Sequence, residues 1–107
     1  MIARIWHGKT TTSKADDYLR YFQVTGLKDY RATDGNQGVL VFRRDEGQQS
    51  DFLILTLWES KDAIIQFAGD DVDKARYYPE DSQYFSELEP NVIHYDVVLN
   101  TISGSEK

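Results

Sequence analysis

Residues 38–59 read GVLVFRRDEGQQSDFLILTLWE, and this stretch limits the fold more than any other. Two apolar runs, 38–44 and 51–59, flank six polar residues, the pattern of an antiparallel hairpin. Successive side chains of a strand point to opposite faces. Along the second run Phe52, Ile54 and Trp58 therefore share one face, and Leu53, Leu55 and Leu57 the other. Along the first, Val39 and Val41 oppose Leu40 and Phe42. A sheet that is apolar on both faces has to be covered on both.

The rest of the chain supplies a cover for one face. IARIWHGK (2–9) reads as a first strand, and a final strand follows Pro90 in NVIHYDVVL (91–99). Between the first strand and the hairpin, Ala15, Tyr18, Leu19 and Phe22 recur at helical spacing. Ser13-x-x-Asp16 reads as a capping box for that helix and Gly26 as its stop. After the hairpin, Ser60 is a natural N-cap, Ala63, Ile64, Phe67 and Ala68 form an apolar stripe, and Gly69 ends the helix. DDVDKARYY (70–78) suggests a short further helix closed by Pro79, and residues 81–88 another helical turn. The order is βαββαβ, the split ferredoxin-like arrangement, an α+β fold. Two helices cover one face, so the other calls for a second copy of the chain.

A net charge of −6, with the twelve Lys and Arg scattered, argues against nucleic acid and anionic membranes as partners. No apolar run approaches the ~20 residues of a spanning helix. The start, MIARIWHGK, reads as a strand rather than a signal, and no cysteine is present. A cytoplasmic protein is expected. Two histidines without a third ligand make no zinc signature, and there is no phosphate loop or nucleophile elbow.

The segments ARIWHG (3–8), LTLWESKDAIIQFAG (55–69), ARYYPED (75–81) and HYDVV (94–98) together resemble the antibiotic biosynthesis monooxygenase-like family of the dimeric α/β-barrel superfamily. The resemblance covers residues 1–99 and leaves 100–107 as a polar tail. It implies a four-stranded antiparallel sheet with helices on one face, paired as a homodimer. It also implies a monooxygenase with neither metal nor flavin. A phenol or hydroquinone is deprotonated, and its anion reduces O₂ directly. Trp58 matches the tryptophan of the family's W-x-S-x-x-A motif, next to the substrate cavity in some members. A second branch degrades haem with an Asn, a Trp and a His, where this chain has His7, Phe67 and Tyr77. Such a barrel can also serve as a non-catalytic ligand-binding or stress-response protein.

Several residues carry chemistry on this reading, each with a structural alternative. His7 and His94 lie on the two terminal strands, which are neighbours in this topology and can bring them together. An ordinary imidazole, near pKa ~6.5, can accept a phenolic proton, or be half-buried on a backbone carbonyl. Trp58 is either a pocket wall or the plug of the core. Phe67, Tyr77 and Tyr78 are candidate aromatic walls, although Phe67 also continues the core stripe. Arg4, between Ile2 and Trp6, either holds an anionic substrate or pairs across the dimer with an acid such as Asp96. The acids of DDVDK and PED read as caps and solvated surface.

Overall fold

The computed structural model describes residues 1–85 and 87–102. The chain runs β1 (Ile2–Thr11), α1 (Thr12–Val24), α2 (Gly26–Ala32), β2 (Asn36–Glu46), β3 (Gln49–Trp58), α3 (Lys61–Ala68), a 3-10 turn (Asp81–Gln83) and β4 (Ile93–Asp96). The strands form one antiparallel sheet in the order β2-β3-β1-β4. This is the ferredoxin-like α+β arrangement, with one added helix before the hairpin.

Register assigns every side chain to a face. On the helix side Ile2 pairs with Trp58, Arg4 with Thr56, Trp6 with Ile54 and Gly8 with Phe52. Phe52, Ile54 and Trp58 are buried there beneath Ala15, Tyr18 and Phe22 of α1 and Ala63, Ile64 and Phe67 of α3. The Tyr18 ring lies edge-on to Phe85 at 4.6 Å and near Phe52 at 5.2 Å, so one aromatic layer joins helix to sheet. The opposite face presents Ile5, Leu53, Leu55, Leu57, Leu40 and Phe42, with Ile93 and Tyr95 on β4. Its exposed side chains run from 41% (Leu53) to 57% (Ile93) accessible.

Local signals hold unevenly. Ser60 caps α3, accepting from the Ala63 amide at 3.2 Å, and Gly69 closes it at φ 92°, where a Cβ would be strained. The capping box at Ser13 does not form. Thr11 is the N-cap, and its hydroxyl meets Ser13 Oγ at 3.2 Å rather than a helix amide. Gly26 does not end α1 in a left-handed turn. The helix breaks at Thr25 and Gly26 opens α2, where a Cβ would sit 2.8 Å from the Phe22 ring. Residues 70–78 form no helix. Their backbone bonds run instead to the approach of β4, through Val92 N–H to Asp73 O and Ala75 N–H to Pro90 O. The helical turn expected over 81–88 shortens to Asp81–Gln83, and Ser86 lies outside the described residues. So do residues 103–107 of the expected tail. No helix among the described residues is long and apolar enough to cross a membrane.

Candidate functional site

Alternation along β1 turns Arg4 and Trp6 toward the helices, and a recess forms above them. Tyr30 of α2 and the segment between α3 and β4 that carries Tyr77, Tyr78 and Asp81 close it. Its free volume is about 30 Å³, room for roughly one or two waters. The closing segment is tied down by side chains. Trp6 Nε1 donates to the Tyr77 hydroxyl at 2.9 Å, which donates to Glu89 O at 2.5 Å. The Tyr78 hydroxyl donates to Asp29 Oδ2 at 2.6 Å, and Arg76 reaches the same carboxylate at 3.1 Å. Arg76 also donates to Phe67 O and lies 4.7 Å from that ring's centroid.

Arg4 is the anomaly of this layer. It is 2% exposed, yet its Nη2 donates only to a backbone carbonyl, Lys74 O at 2.8 Å, and Nε has no partner. Among the described residues no carboxylate pairs with it. Its guanidinium sits 5.7 Å from the Phe67 ring centroid. Burial pulls its pKa down and the neighbouring Tyr30 hydroxyl opposes this, but a guanidinium remains charged near neutrality. A buried cation without an anion is costly. Arg4 thus brings a fixed positive charge to a recess that the Asp81 carboxylate also lines.

Across β1 and β4, Arg4 faces His94. The His94 Nδ1 lies 3.3 Å from Asp73 Oδ1, and its Nε2 is buried without a partner. Burial, then the Arg4 charge, pushes this imidazole below its ordinary value, against the pull of Asp73. A wider, shallower recess of about 320 Å³ opens between β1, β4 and α3, lined by Ile2, Ile64, Val72, Asp73 and His94.

The candidate residues therefore divide. Arg4, Tyr77 and Tyr78 meet at the inner recess, with Phe67 against Arg4. His7 and His94 do not meet. An odd and an even position on neighbouring strands put them on opposite faces, and His7 is engaged by Glu89 at 2.5 Å and Asp51 at 3.5 Å. Trp58 lines neither recess. It is fully buried, and its Nε1 donates to Thr56 Oγ1 at 2.8 Å. Asp96 pairs in register with Ile2, and within one chain it makes no ion pair with Arg4.

Sequence reading missed Asp81, taken for surface. It is 7% exposed, lines the inner recess and accepts from the Tyr78 amide at 2.7 Å. Desolvation raises its pKa against that hydrogen bond. A folded-state pKa above the unfolded one makes this acid's contribution most favourable below pH ~3.9. That contribution is lost as pH rises through the folded value. Asp81→Asn keeps the acceptor without the charge, so it is expected to raise the melting temperature at pH 7 and to lose that advantage below pH 4. A lower melting temperature at pH 7 would show the charge to be paired.

No family model matches the sequence, and no curated protein matches it. Among solved structures, a crystal structure of a MhuD mutant with two manganese protoporphyrin IX molecules bound per active site superimposes with a TM-score of 0.60. The match covers 94% of this chain and 98% of that one, at 17% sequence identity. At that identity the likeness shows a shared fold, and the fold is ferredoxin-like.

Proposed function

We propose that the protein is a monooxygenase-like enzyme that oxidises a small phenolic or hydroquinone-type aromatic with O₂, using neither metal nor flavin, with residues 1–99 as the working unit. The observation that carries this reading is Arg4: a buried guanidinium with an unpaired Nε beneath an aromatic layer. Fixed positive charge in a water-poor site lowers the energy of an aromatic anion and of the superoxide or peroxide that follows. The substrate loses a proton, and its anion passes one electron to O₂. The radical pair then joins as a C–O bond. At a ring carbon bearing two hydrogens in the keto form, loss of water from the hydroperoxide leaves a carbonyl. One oxygen atom stays in product, the other leaves as water, and the substrate supplies all the electrons. The inner recess has the dimensions of O₂ or water rather than of a ring, with Tyr77 and Tyr78 sealing it and Phe67 beneath the charge.

The fold neighbour's porphyrins favour a second reading, haem binding. The inner recess offers no imidazole, and the Tyr77 hydroxyl is held between Trp6 and Glu89. No ligand is prepared for iron there. A Soret shift on titrating hemin would support this reading. A third, a ligand-binding barrel without catalysis, takes the same charge as an anchor only.

Oxygen-electrode screening of hydroquinones and polycyclic phenols is the test. Uptake above background is expected, falling about 100-fold in Arg4→Gln. If a broad panel consumes no O₂, the binding-protein reading replaces the enzyme.

A further inference from the structure

Asp51 Oδ1, on the face opposite the helices, is buried without a hydrogen bond. Its neighbours are His7 Nε2 at 3.5 Å and Lys9 Nζ at 3.9 Å. On the other side of the imidazole, Nδ1 lies 2.5 Å from Glu89 Oε2. One ring thus stands between two carboxylates. Ionised carboxylates only accept, and a neutral imidazole carries a single N–H. The imidazolium alone can donate to both, and charge-assisted bonds are the stronger kind. A neutral ring turns a lone pair toward one carboxylate or the other.

Glu89 also grips β1 from both sides of the sheet. Trp6 and His7 are consecutive and point to opposite faces. The Glu89 carboxylate meets His7 on one face. Its backbone carbonyl accepts from the Tyr77 hydroxyl, which accepts from Trp6 Nε1 on the other. β4 pairs with β1 only over residues 2–5. Among the described residues, no backbone hydrogen bond joins residues 84–90 to residues 6–11 of β1. The bonds that hold this segment come from side chains, with Thr10 Oγ1 donating to Tyr84 O as a further tie.

We infer that His7 and Glu89 form a proton-operated latch, in which the imidazolium holds the segment before β4 against the sheet edge and keeps Tyr77 over the inner recess. Loss of the proton turns a two-sided grip into a one-sided one, and the seal lifts. The latch works whatever the recess binds and does not rest on the oxygenase reading. The charged groups facing His7 are Asp51 of β3, Glu89 of the segment before β4 and Lys9 of its own strand. Arg44 of β2 lies in register with Asp51 and pairs with Glu46. With the proton on, two cations face two carboxylates. With it off, Lys9 remains beside Asp51, and the surplus negative charge falls to Glu89. Histidine ordinarily changes charge between about pH 5 and 8. The seal therefore closes at the acid end of that range and opens at the alkaline end.

The test is acrylamide quenching of indole fluorescence in the intact protein. Trp6 and Trp58 are its two indoles, and Trp58, fully buried, gives a constant background. Quenching should rise several-fold from about pH 5.5 to about pH 8 as Trp6 loses its cover. In His7→Gln, which cannot take the charge, it should be equal at both pH values. Glu89→Gln, at an exposed side chain, keeps the acceptor without the charge and should flatten the response even if His7→Gln misfolds. Light scattering at both pH values should show a constant mass, a necessary check because His7 shares its face with Leu53 and Leu55. Flat quenching in the native protein would overturn the inference. So would a rise that survives in His7→Gln or Glu89→Gln, which would move the response to another group such as Asp81, or a rise that coincides with a change in mass.

Discussion

Replacing Trp58 by alanine is expected to cost about 3–5 kcal/mol of folding stability. The indole is fully buried, stands 5.7 Å from the Phe67 ring and 6.2 Å from Tyr30, and donates to Thr56. Truncation opens a void under α3 and leaves the Thr56 hydroxyl without its donor. Domains of this size hold about 5–15 kcal/mol in total, so the variant should melt near working temperatures. In urea the midpoint should fall with little change in slope. Trp58→Phe fills most of the void and should keep whatever activity the native protein has. A loss of activity in Trp58→Phe without loss of stability would return the indole to the substrate cavity.

The second large effect concerns association. The face opposite the helices carries Leu40, Phe42, Leu53 and Leu55 beside Ile5, Ile93 and Tyr95. That is on the order of several hundred Å² of apolar surface, beyond what a monomer usually exposes. At ~25 cal/mol per Å² its burial outweighs the cost of association. Two copies related by a two-fold axis cover both patches in one contact. Light scattering at micromolar concentration should give about twice the 12.4 kDa of one chain. Leu55 lies between Ile5 and Leu40 at the centre of this face. Leu55→Arg would place a guanidinium in that contact and should weaken the dimer at least about 100-fold, roughly 3 kcal/mol. A native mass near 12.4 kDa would overturn the pairing of sheets.

The sheet was legible because period-two alternation is a property of consecutive residues. Phe52, Ile54 and Trp58 could be placed on one face, and Leu53, Leu55 and Leu57 on the other, from the sequence alone. The same rule applied to β1 and β4 separates His7 from His94, once the register Arg4–His94 is known. Register is a property of two segments ninety residues apart and leaves no local trace. The segment 70–78 was illegible for a related reason. Its course is set by Arg4 to Lys74 O, Arg76 to Phe67 O and Trp6 to Tyr77, bonds between distant side chains rather than by any period. DDVDKARYY has helical composition, yet Tyr77 and Tyr78 lie outside any helix before Pro79, and a residue preceding proline is disfavoured in the helical region. Asp81 shows the same limit. Composition marks it as surface, and only the closing of the segment over β1 buries it.

β4 is four residues long, whereas β1 and β3 are each ten. Amide exchange in such a sheet need not await global unfolding. A short outer strand can detach on its own and re-dock. The amides of Ile93–Asp96 should therefore exchange well ahead of those in β1 and β3. His94 rides on this strand and Arg4 on its neighbour, so each detachment would part the two residues and open the buried guanidinium to water.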